Sequence, residues 1–404
     1  SDLLVPAVFP ERTEKTMREK RFSVRALVLT VVLTVLLTAV LLAGILCLLL
    51  GKEGMSMAQA MVLINTQFVG EHDIGEAVDG AMDSLITGLG DRWSYYMDAE
   101  GYARQKENKS NAYVGLGCTV SYPETEGLLI EAVTEDGPAD KAGLKAGDLI
   151  LEIDGVRMEG EARSRATEYT RGPDGSEAEL LIQRADGIEQ RFKVVRARVE
   201  EHPVSYERLD DGTGVVAIRN FNSRCAEEAV AAVEELEAQG VERLVFDVRN
   251  NGGGYLDELT TLLDYLLPEG TIFRSEDKAG HQSSVQSDAA CVDLPMAVLV
   301  NGDTYSAAEL FAAELQEMEW GIIVGTPTFG KGFSQQTFPL LSGGAINIST
   351  AKYFTGKGVS LIGTGLTLDR ELELTEEQEQ KLKNHALDPA EDPQLQAAIQ
   401  MIAG

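Results

Sequence analysis

The sequence predicts an α/β core on a mostly parallel sheet, a small β-rich domain ahead of it, and one membrane-crossing helix near the N-terminal end. Three observations predict this. Beyond residue 200, buried-strand runs such as GVVAI, RLVFD and AVLV alternate with segments of helical period, the pattern of a sheet with helices on its faces. Between residues 111 and 199, short alternating strands are punctuated by the turn pairs Asp154-Gly155 and Asp186-Gly187. Ala26 to Gly51 carries no charge at all.

That uncharged stretch reaches about 39 Å as a helix, enough to cross a ~30 Å hydrocarbon core with some tilt. Arg12, Lys15, Arg18, Lys20, Arg21 and Arg25 precede it, so residues 1–25 are expected to stay cytoplasmic and everything after Lys52 to lie on the extracytoplasmic side of the cell membrane. No A-x-A site follows, which favours an uncleaved single-pass anchor over residues 26–51 rather than a signal peptide. Residues 52–110 read as a helical region broken at Gly88-Leu89-Gly90-Asp91, and residues 111–199 as the β-rich domain. Residues 200–370 carry the α/β core, and residues 371–404 a charged helical region with Glu376 to Lys383 as a solvated face.

The net charge of -30 excludes nucleic acid, whose phosphates such a surface repels. Cys47, Cys118, Cys225 and Cys291 lack metal-ligand spacing, and no metal site or disulfide framework is expected.

Chemistry concentrates between Pro295 and Gln335. Ala297 to Val300 reads as a buried strand, Asn301-Gly302-Asp303 as a turn, and Ala308, Phe311, Ala312 and Leu315 follow helical spacing. Ser306 stands where the strand hands over to the helix, beside the outward-pointing N–H groups of a first helical turn. None of His72, His202, His281 and His385 has a triad context, so a serine nucleophile needs another base. Lys331, between Gly330 and Gly332 and flanked by Phe329 and Phe333, suits that role if burial lowers its pKa. Gly325 to Lys331 also fits the start of a P-loop. Gly332, where a metal-binding hydroxyl is needed, and the strand-like sequence that follows argue against it.

YSAAELFAAELQ followed by TFGKGFSQQ resembles the active-site pair of the carboxyl-terminal processing peptidases, tail-specific serine proteases of peptidase family S41 with a Ser-Lys dyad. The resemblance implies Ser306 as nucleophile, Lys331 as base and Gln335 as the residue that orients it. Asp247, Arg249, Asn251, Gly253 and Gly254 match the family's D-x-R-x-N-x-G-G motif, implying an oxyanion hole of backbone N–H groups at Gly253 and Ala307. Gly90, Asp91, Ser94, Tyr96 and Met97 fit a family signature read here as a segment for packing and oligomerisation, without chemistry. GPADKAGLKAGDLILEIDG resembles a PDZ domain, in which Gly115, Leu116, Gly117 and Cys118 would hold a peptide's terminal carboxylate.

The expectation is therefore a serine peptidase core of ClpP/crotonase-like type with a PDZ domain, a membrane-anchored homo-oligomer, namely a dimer, needing no cofactor. Its partners would be proteins or peptides with a free C-terminus. The alternative is a catalytically silent PDZ-type binding protein on the same core.

Overall fold

The computed structural model describes residues 23–123 and 126–403, which form two compact units divided after Val78. Residues 1–22 of the expected cytoplasmic tail lie outside the described residues. In the first unit, helix α1 (Val24–Gln67) is broken at Gly51, whose φ of 62° suits glycine and marks the end of the apolar run. By length and composition α1 can cross a membrane. The helical expectation for residues 52–110 holds only in pieces: after α1 come α2 (Ile74–Thr87), strand β1 (Tyr95–Met97) and α3 (Ala99–Lys109).

In the second unit the β-rich part opens with β2 (Ala112–Gly115) and closes with β9 (Ala197–Glu200), which pair with each other. Between them, β3 (Cys118–Ser121), β4 (Leu128–Val133), β5 (Leu149–Ile153), β7 (Glu177–Gln183) and β8 (Glu189–Val195) form an antiparallel sheet in that order. Short β6 (Val156–Arg157) turns back on β5 through Asp154-Gly155, and the β7–β8 hairpin turns at Gly187, φ 82°. Helices α4 (Pro138–Lys141), α5 (Gly160–Ser164) and α6 (Ala166–Thr170) complete it. Alternate residues Leu128 and Ile130, Leu180 and Ile182 point into its own core.

The α/β part is built on β10 (Val204–Arg208), β11 (Thr213–Ile218), β12 (Arg243–Asp247), β15 (Met296–Val300), β16 (Gly321–Gly325) and β19 (Arg370–Glu371), in that order. Every pair is parallel except β10–β11. Because both faces are covered, its strands read as unbroken apolar runs. Val216, Phe246, Val298 and Val300 pack with α7 (Cys225–Ala238), α8 (Leu256–Leu266) and α9 (Ala307–Glu317). Val215, Val245, Ala297 and Leu299 pack instead with Leu395, Ala398, Ile399 and Ile402 of α11 (Pro393–Ile402). The charged helical region expected at 371–404 is thus divided: α10 (Glu376–Lys383) is solvated, whereas α11 is a layer of the core. A second sheet joins β13 (Gly270–Asp277) and β14 (Gln282–Ser287) to β17 (Phe333–Pro339), β18 (Ala345–Phe354) and β1.

Glu314 of α9 is fully buried. One carboxylate oxygen accepts the Gly356 N–H at 2.7 Å and the other has no partner among the described residues. Desolvation pushes its pKa up to about 8, with nearby Glu317 adding to the shift. The folded state therefore keeps a proton that the unfolded chain releases near pH 4.5. This contribution to stability is complete below about pH 4.5 and is lost as pH rises through about 8. Thermal melts should show Glu314→Gln gaining on the wild type from about pH 5 to about 8 and levelling off above that; parallel Tm curves would contradict this.

Candidate active site

Ser306 follows β15 and its turn in a strained conformation, φ 62° and ψ −124°. Such a residue costs about 1–3 kcal/mol unless its surroundings hold it, and here they do. Thr304 Oγ1 donates to the Val248 carbonyl at 2.8 Å and the Tyr305 N–H to that of Asn251 at 3.1 Å. The Ser306 N–H donates to Glu309 Oε2 at 3.2 Å. Glu309, fully buried one turn into α9, also accepts from Thr328 Oγ1 at 2.7 Å and from the N–H groups of Gly330 at 2.6 Å and Lys331 at 3.0 Å. One carboxylate thus ties the serine elbow to the lysine loop. Its pKa is raised by desolvation, which outweighs these four donors.

Lys331 is 9% exposed and lines the same cavity as Ser306, about 580 Å³ in volume. Its Nζ lies 4.2 Å from the Trp93 ring centroid and 5.8 Å from that of Tyr305. Trp93, Tyr305 and Phe329 pack on one another at 5.3–5.8 Å. Desolvation lowers the Lys331 pKa to about 8, and the nearby Lys109 charge pushes the same way, against Asp91 and Glu309. Phe329 and Phe333 flank the lysine in sequence, but the rings found over its Nζ are those of Trp93 and Tyr305, with Phe329 packed behind them.

Trp93 belongs to the segment from Gly90 to Met97 that was expected to carry no chemistry, and that expectation is corrected here. Asp91 accepts from the Trp93 N–H at 3.1 Å and from Ser94 Oγ at 2.6 Å. Ser94 Oγ in turn accepts the Ser349 N–H at 3.1 Å, and β1 pairs with β18, which brings the indole to the cavity. The only sequence signal was an aromatic beside the polar signature. Glu309 had a clearer one: an acid inside an otherwise apolar helix face.

The oxyanion expectation divides. Ala307 opens α9 and lines the cavity. Gly253 is close, since a Cβ there would lie 2.8 Å from Ser306 Cβ and 2.9 Å from Ala307 N, and its φ is +87°. Its N–H, however, is committed to Asn251 Oδ1 at 2.8 Å, so the expectation of a free Gly253 donor is corrected. Gly252 and Gly254 line the cavity instead. Gln335 also lines it, but its Nε2 donates to the Phe333 carbonyl at 2.8 Å and Ser349 Oγ at 3.0 Å rather than engaging Lys331.

The four PDZ residues part company. The Leu116 side chain is buried in the β-rich core and its carbonyl accepts the Ala139 N–H at 2.8 Å, which anchors the loop whose N–H groups are expected to face a peptide. Gly117, φ +72°, runs so close to Pro138 that a Cβ would lie 2.9 Å from its Cδ. Gly115 bridges to Arg171, whose guanidinium lies 3.2 Å from Glu107 of α3. Cys118 begins β3, an edge strand of its sheet among the described residues.

The chain matches the model of peptidase family S41 over residues 212–372 and a PDZ domain model over residues 129–184. It is 32% identical over 318 residues to the carboxy-terminal-processing protease of Bartonella bacilliformis, covering 76% of this chain and 72% of that protein. To the carboxyl-terminal-processing protease of Synechocystis it is 31% identical over 334 residues, covering 80% and 76%. A crystal structure described as an S41 protease of Bacteroides fragilis shares the fold at a TM-score of 0.53 and 17% identity, over 80% of this chain and 90% of that one.

Proposed function

Because the chain belongs to the carboxy-terminal-processing proteases of peptidase family S41, and is therefore a serine-type peptidase, we propose that Ser306 is its nucleophile and Lys331 its general base. The observation that carries this reading is a desolvated lysine on the same cavity as a serine held in a strained strand-to-helix elbow. Neutral Lys331 takes the proton from Ser306 Oγ as that oxygen attacks the scissile carbonyl. The tetrahedral oxyanion is held by the Ala307 N–H and, on the glycine loop, by the N–H of Gly252 or Gly254, since that of Gly253 is occupied. Protonated Lys331 then gives that proton to the leaving amine as the C–N bond breaks, and in the second half it takes a proton from the water that attacks the acyl-enzyme and returns it to Ser306 Oγ. With its Nε2 tied up, Gln335 orients the lysine through Oε1.

In this reading residues 111–199 are the PDZ domain and residues 200–370 a ClpP/crotonase-like core. A substrate's free C-terminus adds to β3 as a further strand, with its carboxylate at the Gly115–Cys118 loop; the free edge of β3 supports this. Residues 26–51 anchor a dimer in the membrane with the peptidase outside, a placement supported by α1 and the basic residues before it.

The test is cleavage of an unstructured protein by the full chain, with the substrate's C-terminus free or amidated. Cutting by the wild type but not by Ser306→Ala, slowed severalfold by amidation, is expected. Equal rates on both substrates would remove the tail-reading role, and an active Ser306→Ala would remove the nucleophile assignment.

A further inference from the structure

Asp and Glu outnumber Lys and Arg by 65 to 35 in this chain, yet among the described residues no acid lines the cavity that holds Ser306. Three lysines do: Lys106, Lys109 and Lys331. Lys106 and Lys109 stand three residues apart on α3, on one helical face. Lys109 Nζ donates to Asn222 Oδ1 at 3.0 Å and lies 5.2 Å from the Tyr255 ring centroid. Lys106 Nζ lies 4.6 Å from the Tyr102 ring, and both rings line the cavity. Among the described residues neither lysine has a carboxylate within ion-pair distance. The nearest acid on their own helix, Glu107, is paired with Arg171, and Glu258 accepts from the N–H groups of Arg224 and Ala226. Lys109 is half-buried and desolvation lowers its pKa, so it carries a cation poorly solvated and without a counter-ion.

Resting on Ser306 as the nucleophile, the geometry points to a subsite in which Lys109, seconded by Lys106, receives a carboxylate of the substrate within a few residues of the bond being cut. A carboxylate entering a partly dry cavity meets a stronger attraction than it would in water and completes charge-assisted hydrogen bonds that the lysines lack. The chain as a whole, at a net charge of -30, offers a carboxylate little long-range attraction, so the lysine-lined cavity stands out locally. The substrates selected are therefore peptides with an acidic side chain, or their own terminal carboxylate, close to the scissile bond.

The experiment compares kcat/KM at one pH for peptides that differ only by Glu against Gln at each position around the cleaved bond, each with a free or an amidated C-terminus. The wild-type chain is expected to prefer the carboxylate by about 10- to 100-fold at one position. That ratio should fall to near one in Lys109→Met and invert in the Lys106→Glu, Lys109→Glu double variant. A preference set by Glu whatever the terminus identifies a side chain as the ligand; one removed by amidation identifies the terminal carboxylate. Using a ratio cancels any effect of Lys109 on the rate of the chemical step. A wild-type ratio near one throughout, or a ratio that survives both variants, overturns the subsite. Cleavage of the Gln peptide by Ser306→Ala instead overturns the nucleophile assignment, and the subsite falls with it.

Discussion

Lys331→Ala is expected to lower kcat/KM by about 10²- to 10⁴-fold, the span of a lost general base. Lys331→Arg should be no better, because a guanidinium does not give up its proton near neutral pH. The wild type should display the reason in its pH profile. Only the uncharged amine can take the serine proton, so kcat/KM should climb with pH and reach half its plateau near the lysine's pKa of about 8. Adding Ser306→Ala to Lys331→Ala should cost little more than either change alone, as expected of a nucleophile and its base that act in one step. A flat profile between pH 6 and 9, or a Lys331→Ala enzyme within tenfold of the wild type, would exclude the lysine as base.

Glu309→Ala should be nearly as damaging, by a different route. Its carboxylate accepts from the backbone of Ser306, Gly330 and Lys331 and from the Thr328 hydroxyl, all within 3.2 Å. Removing it strands buried donors and loosens the strained elbow, a change that costs about 3–5 kcal/mol when a buried charged network loses one partner. A displacement of about 1 Å in the serine or the lysine lowers kcat about 10²-fold. Glu309→Gln keeps the shape and part of the accepting capacity, and should recover most of the folding stability but less of the rate. The charge leaves a separate signature. Glu309 raises the lysine's pKa, so Glu309→Gln should move the rising limb of the pH profile to lower pH even as the plateau falls. An unmoved limb with a lower plateau would reduce Glu309 to a purely structural role.

How much of this was readable in the sequence depended on how far apart the interacting groups lie along the chain. Ser306 and Lys331 sit close together in sequence, on elements whose period and turn chemistry are local, and the structure brings both to one cavity. The parallel sheet was legible because its strands are apolar on both faces. Trp93 was not, because its place at the lysine depends on β1 pairing with β18, a contact that leaves no local trace. Which glycine N–H is free was also beyond reach, since it turns on where the Asn251 side chain points. The inward turn of the Leu116 side chain was equally illegible, because the PDZ motif marks a loop without saying which of its side chains faces the core.

The guanidinium of Arg249 joins Asp247, at the root of the glycine loop, to Asp392 at the start of α11, 143 residues further on. Gln394 of the same helix accepts from it at 2.9 Å. Ser306, Lys331 and the glycine loop all precede α11 in the chain, and that helix covers one face of the sheet that carries the loop and the serine elbow. The alignment of the glycine loop is thereby tied to a helix remote from it in sequence, so weakening the Arg249–Asp392 pair is expected to disturb the cavity from the opposite face of the sheet.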